Sequence, residues 1–157
     1  MNTRKLLLKA ADISNIKGEE KIHFLNLNAV RINKSLGDAV GLKNIGIHLV
    51  QVDPGKDTTE YHKHYYEEEG VYILAGQGML EIEGEQYQIE QGDFVGFPSN
   101  TAAHTISNNG TVKLVCLVMG QRLEQDVTDY PKKAKRLYRN SGEWNIVDMK
   151  NIIDPKK

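Results

Sequence analysis

Two histidines and three glutamates fall within the ten residues Tyr61 to Gly70, YHKHYYEEEG. Imidazoles and carboxylates bind divalent metals and move protons near neutral pH, so the cluster is either a site or a solvated loop. In an extended strand, residues i and i+2 face the same way, about 6.5–7 Å apart along the chain. His62 and His64 would then present two imidazoles to one side. Glu69 follows across a short bend and opens a run in which Glu69, Val71 and Ile73 alternate with Gly70, Tyr72 and Leu74. A carboxylate leading an inward apolar row is costly to bury unless a positive charge neutralises it. A divalent metal supplies that charge. A third imidazole, His104, stands in the later stretch AAHTI. Three imidazoles and one carboxylate suit Fe, Mn, Ni, Cu or Zn and, in octahedral geometry, leave two positions open.

The remaining candidates are weaker. The His-x-His pair taken alone reads as surface histidines; Glu69 and His104 turn the reading towards ligands. Glu67 and Glu68 read as a solvated turn, with Glu68 the alternative carboxylate, because one carboxylate suffices for an ion. His104 as a buried, hydrogen-bonded histidine is the competing reading to a ligand. His48, in IGIHLV, is expected to be structural, and His23 to lie on the surface. Cys116 sits in an apolar run, where a lone cysteine is a small buried hydrophobe rather than a nucleophile. The glycines of AGQGML lie between two strands with no helix following, which fits a turn and not a phosphate loop. Tyr65 and Tyr66 fit a barrel mouth or a subunit contact, and KKAKR (132–136) a solvated charged segment. Tyr61, Tyr72 and Glu68 are acid/base candidates that no spacing singles out.

The elements that must position these groups are strands. NIGIHLVQV (44–52) ends at the turn sequence Asp53-Pro54-Gly55. VYIL (71–74) is followed by a hairpin in which Met79 to Ile82 and Gln86 to Ile89 flank Glu83-Gly84-Glu85, with Gly84 free to take positive φ. FVGF (94–97), AAHTI (102–106) and the very apolar VKLVCLVM (112–119) complete the set. Many short strands with glycine-containing turns predict an all-β closed barrel or sandwich. Residues 1–41 and 121–157 lack a clean period and read as arms packing on the barrel or on a partner subunit, with one helical candidate at EWNIVDMKNII. The expected organisation is one domain over 1–157 with a barrel core of about 42–120.

The 157 residues suffice for one domain with a sizeable core. With 39% apolar and 26% charged residues the chain reads as soluble and globular. A net charge of -1 gives no basic field for nucleic acid or anionic membrane. The longest apolar runs are strand-sized, and MNTRKLLLKAADIS lacks the apolar core of a signal peptide. One cysteine excludes an internal disulfide. Together these predict a cytoplasmic protein with no nucleic acid and no membrane partner; a small β-barrel has room in its interior for one small-molecule ligand. No DNA-binding helix-turn-helix precedes the strands, which argues against a self-contained transcription factor.

Two spacings carry a family resemblance. Gly55, His62-x-His64, four residues, Glu69, six residues and Gly76 resemble the first motif of the cupin superfamily, with one extra residue before His62. Gly92, five residues, Pro98, then His104, three residues and Asn108 resemble the second. Asn100 stands where the family has a glycine, and asparagine tolerates the left-handed conformation better than most residues. One extra residue also precedes His104. The two motifs span about a third of the chain, and the context from PGKDTTEYHKH to DVTDYPKK is similar to small single-domain bacterial cupins. The resemblance implies a double-stranded β-helix (jelly-roll) barrel with N- and C-terminal arms, metal ligands His62, His64, Glu69 and His104, and a homodimer. It also implies either a metal-dependent oxygenase, isomerase or lyase on a small polar or sugar-like substrate, or a non-catalytic binding module acting with a partner.

Overall fold

The computed structural model describes residues 6–157. The reading of residues 1–5 as part of an N-terminal arm lies outside the described residues. A short helix, α1 (Ala10–Asn15), precedes a hairpin of β1 (Glu19–His23) and β2 (Asn26–Ser35). One turn of helix, α2 (Leu36–Val40), leads to β3 (Ile45–Val52). Then come β4 (Lys63–His64), β5 (Glu69–Ala75), β6 (Gln77–Ile82), β7 (Glu85–Glu90), β8 (Phe94–Phe97), β9 (His104–Ser107) and β10 (Leu114–Gln121). A meander of β11 (Gln125–Tyr130), β12 (Lys135–Asn140) and β13 (Glu143–Asp148) follows.

The strands pair antiparallel in three sheets: β1-β2-β3-β10-β5-β8, β7-β6-β9 and β13-β12-β11-β4. Alternation decides which residues go inside. Val50, Val52, Val71, Ile73, Phe97, Leu114 and Cys116 from the large sheet meet Leu80, Ile89 and Ile106 from the three-stranded one in a single core. Cys116 is fully buried there, as expected of a small hydrophobe, and burial pushes its thiol pKa up to about 12. Residues 57–62 run beside β9 and continue into β4, which joins the two smaller sheets into one wall. The architecture is an all-β double-stranded β-helix, a jelly-roll barrel.

The turns follow their residues. Glu83 and Gly84 take φ of 49° and 85°, the pair of positive angles that a two-residue hairpin requires. The loop is thus one residue tighter than Glu83-Gly84-Glu85, and Glu85 already pairs with Ile82. Gly76 takes φ of 80° between β5 and β6, and a Cβ there would sit 2.5 Å from the Lys113 carbonyl oxygen.

Both flanks are built into sheets rather than laid over them. β1 and β2 extend the large sheet beyond β3. The helix expected at EWNIVDMKNII is instead β13, paired to β12 from Glu143 to Asp148, with a 3₁₀ turn only at Met149–Asn151. Trp144, Ile146 and Val147 are aromatic or β-branched, and cross-strand partners such as Leu137 opposite Ile146 offset their poor helical preference. KKAKR is also more than a solvated run. Lys132 pairs with Glu81 at 2.7 Å and lies over the Tyr61 ring, and Arg136 grips Asp129 at 2.6 and 2.8 Å. Among the described residues no helix is long and apolar enough to cross a membrane.

Candidate metal centre

The first strand of each motif is locked to the other. His62 N–H donates to the His104 carbonyl at 3.0 Å and His104 N–H returns the bond to the His62 carbonyl at 2.8 Å. This reciprocal bridge brings two imidazoles from residues 42 positions apart to a ring separation of 4.6 Å. Phe97 stacks on His104 at 3.3 Å, fixing its plane. Asn100 takes φ of 55° and donates its N–H to the His64 carbonyl at 3.0 Å, so the left-handed turn survives without glycine. Glu69 opens β5 on the inward row with Val71 and Ile73, as alternation predicts.

The ring nitrogens can be assigned from their partners. His62 Nδ1 faces the Glu60 carbonyl at 2.8 Å and His104 Nδ1 the Ala102 carbonyl at 3.2 Å. A carbonyl only accepts, so each Nδ1 carries the proton and each neutral ring turns its Nε2 lone pair inward. There both nitrogens meet one carboxylate oxygen. Glu69 Oε2 is 3.4 Å from His104 Nε2 and 3.7 Å from His62 Nε2. Lone pairs facing a carboxylate repel unless a cation lies among them. Burial holds the His62 pKa below its ordinary value, against the opposing pull of Glu69, so a proton on His62 is disfavoured. Glu69 itself stays ionised: burial raises its pKa, but the hydrogen bonds and charge that His104 and His62 supply when a proton sits at their Nε2 atoms outweigh this and hold it well below the carboxylate range, so a cation at this point, proton or metal, is what the carboxylate requires. This donor set fits a divalent metal. His62, Glu69 and His104 offer ligand atoms all within 4.8 Å of one another.

His64 lies beside this trio rather than in it. Its ring centroid is 4.9 Å from that of His62, edge to face. Its Nδ1 is held at 2.6 Å by Asp126 Oδ2, so its Nε2 is also the free nitrogen. Burial would lower its pKa, but the Asp126 hydrogen bond and the charges of Glu69, Asp126 and Glu67 raise it. His64, Glu67 and Asp126 form a second cluster of metal-capable atoms next to the first. Asp126 is buried, and its Oδ1 accepts from the backbone N–H groups of Tyr66 and Glu67 at 3.1 and 3.3 Å. Glu67 is not part of a solvated turn. It is buried, pairs with Arg139 and accepts from Leu123 N–H at 2.8 Å. Three adjacent glutamates thus have three fates: Glu67 structural, Glu68 exposed, Glu69 in the site.

A cavity of about 600 Å³ opens on all four of these residues. Its wall holds groups that the sequence did not single out, including Arg31, Asn33 and Tyr130. His23, expected on the surface, also lines it and stacks on Phe24 at 4.5 Å. Leu25 N–H donates to His23 Nδ1 at 3.1 Å, which leaves Nε2–H as the donor of the neutral ring. Burial first, then the charges of His62 and Arg31, hold the His23 pKa down at about 4. No local spacing links Asp126 to His64, 62 residues earlier, and Arg31 lies in a flank without a clear period.

The profile of the cupin domain family matches residues 48–120. A crystal structure from Acidithiobacillus ferrooxidans, named a "Putative sugar phosphate isomerase", is 65% identical with a TM-score of 0.96, over 99% of this chain and 100% of that one. A sugar phosphate isomerase of the cupin superfamily from Silicibacter pomeroyi shares the fold at a TM-score of 0.81 and 22% identity, over 96% and 98% of the two chains. An uncharacterized protein of Methanocaldococcus jannaschii is 39% identical over 64 residues, 41% of this chain, and the chain spans half the length of that relative. With both motifs in register on a jelly-roll barrel and the family profile matching across them, the chain belongs to the cupin superfamily.

Proposed function

We propose that this protein is a metal-dependent isomerase of a small sugar-like substrate, with His62, His64, Glu69 and His104 holding one divalent transition metal. The observation that carries the reading is the tautomer pattern. Three histidines each give Nδ1–H to an acceptor, leaving three Nε2 lone pairs and an ionised Glu69 at the edge of one cavity. Orientation of metal-bound histidines through the second nitrogen is the usual arrangement at such centres. The 65% identity to the Acidithiobacillus ferrooxidans protein supports isomerase over oxygenase or lyase.

A bound divalent ion would act as a Lewis acid on a substrate oxygen. Aldose–ketose interconversion takes a proton from C2, returns one to C1, and passes a hydroxyl proton between O1 and O2. Atoms and electrons therefore balance without an external oxidant or reductant. The chain contributes a neutral imidazole, His23, whose Nε2–H donates to a substrate oxygen. Phe24 and Tyr130 pack around that ring and fix its direction.

The test is metal content by mass spectrometry on untagged protein purified without chelator. We expect about one ion per chain, lost in His62→Ala/His104→Ala, with interconversion of phosphorylated pentoses or hexoses followed by NMR only in the loaded protein. Full metal content in that double variant would overturn the ligand assignment. Stoichiometric metal with no isomerisation of any such sugar would overturn the isomerase reading and favour the binding module.

A further inference from the structure

Lys21 stands directly opposite Arg31 in the β1–β2 ladder. Like charges facing each other across strands destabilise a sheet, yet both side chains line the cavity. Among the described residues Lys21 pairs with Glu19, at 3.0 Å in an exposed pair that solvent screens. Half-buried Arg31 donates to the Thr58 carbonyl. Among the described residues no carboxylate lies within ion-pair distance of it. Burial lowers the Arg31 pKa and the charge of Glu69, beyond ion-pair distance, opposes this; a closer counter-charge would stabilise a buried guanidinium further.

The floor beside Glu69 is bare over the next two strands on its row. Gly46 and Gly120 oppose each other across β3 and β10, and Gly120 also opposes Glu69 across β10 and β5. Both glycines line the cavity. A Cβ on Gly46 would lie 2.9 Å from His48 Nε2 and 3.2 Å from Arg122 Nε, whereas one on Gly120 would meet only the Glu68 carbonyl oxygen at 3.8 Å. Asn33 Nδ2 lies 3.3 Å from His48 Nδ1, and Arg122 is tethered through Nη1 to Asp38 at 2.5 Å. Burial holds the His48 pKa down, and the charges of Arg122, Arg31 and Lys21 add to it against Asp38. His48 Nε2 and Arg122 Nε thus flank the same point above Gly46, and Lys21, Arg31 and Arg122 line one cavity with His48.

We propose that Lys21, Arg31 and Arg122, which line the cavity with His48, form an anion subsite that takes the phosphoryl group of a phosphorylated sugar, whose carbon chain lies over Gly46 and Gly120 towards Glu69. A dianion between Lys21 and Arg31 turns their repulsion into attraction, and guanidinium groups match phosphate oxygens in pairs. The sugar part rests on the isomerase reading above; the anion part does not.

The test uses the whole 157-residue chain, treated with chelator, titrated calorimetrically with inorganic phosphate, glycerol 3-phosphate and glycerol. We expect both phosphates to bind and glycerol not to. Arg31→Gln should weaken both phosphates by about tenfold or more, the loss of a charged hydrogen bond. Lys21→Met, at a solvent-exposed position, should weaken them several-fold while keeping the far-ultraviolet circular dichroism of the parent. His62→Ala/His104→Ala should leave phosphate affinity within about twofold, so failure of the metal reading would be seen separately. The proposal is overturned if the parent protein binds neither phosphate, or if folded Lys21→Met and Arg31→Gln bind them as well as the parent.

Discussion

Asp126 meets the candidate site only through its contacts with His64 and the backbone beside it. It is buried, accepts two backbone N–H bonds on one oxygen and holds His64 Nδ1 with the other. Its pKa is depressed: burial raises it, but the hydrogen bond and charge of His64 and the N–H groups of Tyr66 and Glu67 prevail. Asp126→Asn keeps the shape but removes the charge that fixes the His64 tautomer. We expect it to weaken metal affinity by about 10–100-fold, the usual cost of losing such a partner, measured by competition with a chelating dye. Unchanged affinity would mean that His64 is no ligand. At this scale the sequence was informative where spacing is local. His62 and Glu69 stand out through strand alternation over a few residues, whereas His104, 42 positions from His62, stands out only through the second family motif; the fold brings the three together. Asp126, Arg31 and His23 do not stand out, because their partners come from distant strands, and Glu67 was misjudged because nothing local announces Arg139.

Among the elements, the β5–β6 connection tolerates least. Gly76 combines positive φ with a Cβ position 2.5 Å from the Lys113 carbonyl oxygen, and neither backbone can yield without disturbing the β10–β5 ladder. Gly76→Ala should lower unfolding free energy by about 1–3 kcal/mol, read from the urea midpoint at constant slope. A midpoint equal to the parent's would contradict the turn geometry. The central strands were legible because alternation and turn residues agree there, as in the run from Ile45 to Val52. The flanks were not. The β1–β2 hairpin and the β11–β13 meander owe their extended form to pairing partners, which a one-dimensional pattern does not display.

Taken whole, the described molecule leaves several sheet edges, and the β1–β2 hairpin at one of them carries the most exposed of their large apolar residues. β1 ends the large sheet, and its hairpin exposes Ile22, Phe24 and Leu27, the last 83% accessible. An apolar edge strand invites pairing with another chain. We therefore propose a homodimer through this hairpin. Sedimentation at micromolar concentration should give twice the 17.7 kDa chain mass, and Leu27→Lys should shift it towards the monomer; a monomeric parent would remove the proposal. The reciprocal bond between His62 and His104 has a different consequence. It belongs to the barrel's own backbone, and the ten-residue apolar core that holds the barrel together includes none of the proposed ligands. On the proposed metal reading, acquiring the ion and acquiring the fold are then separate events. Under the proposed function, a chain made when metal is scarce would wait as a finished, empty vessel, and the supply of metal rather than protein synthesis would set how much of it is loaded.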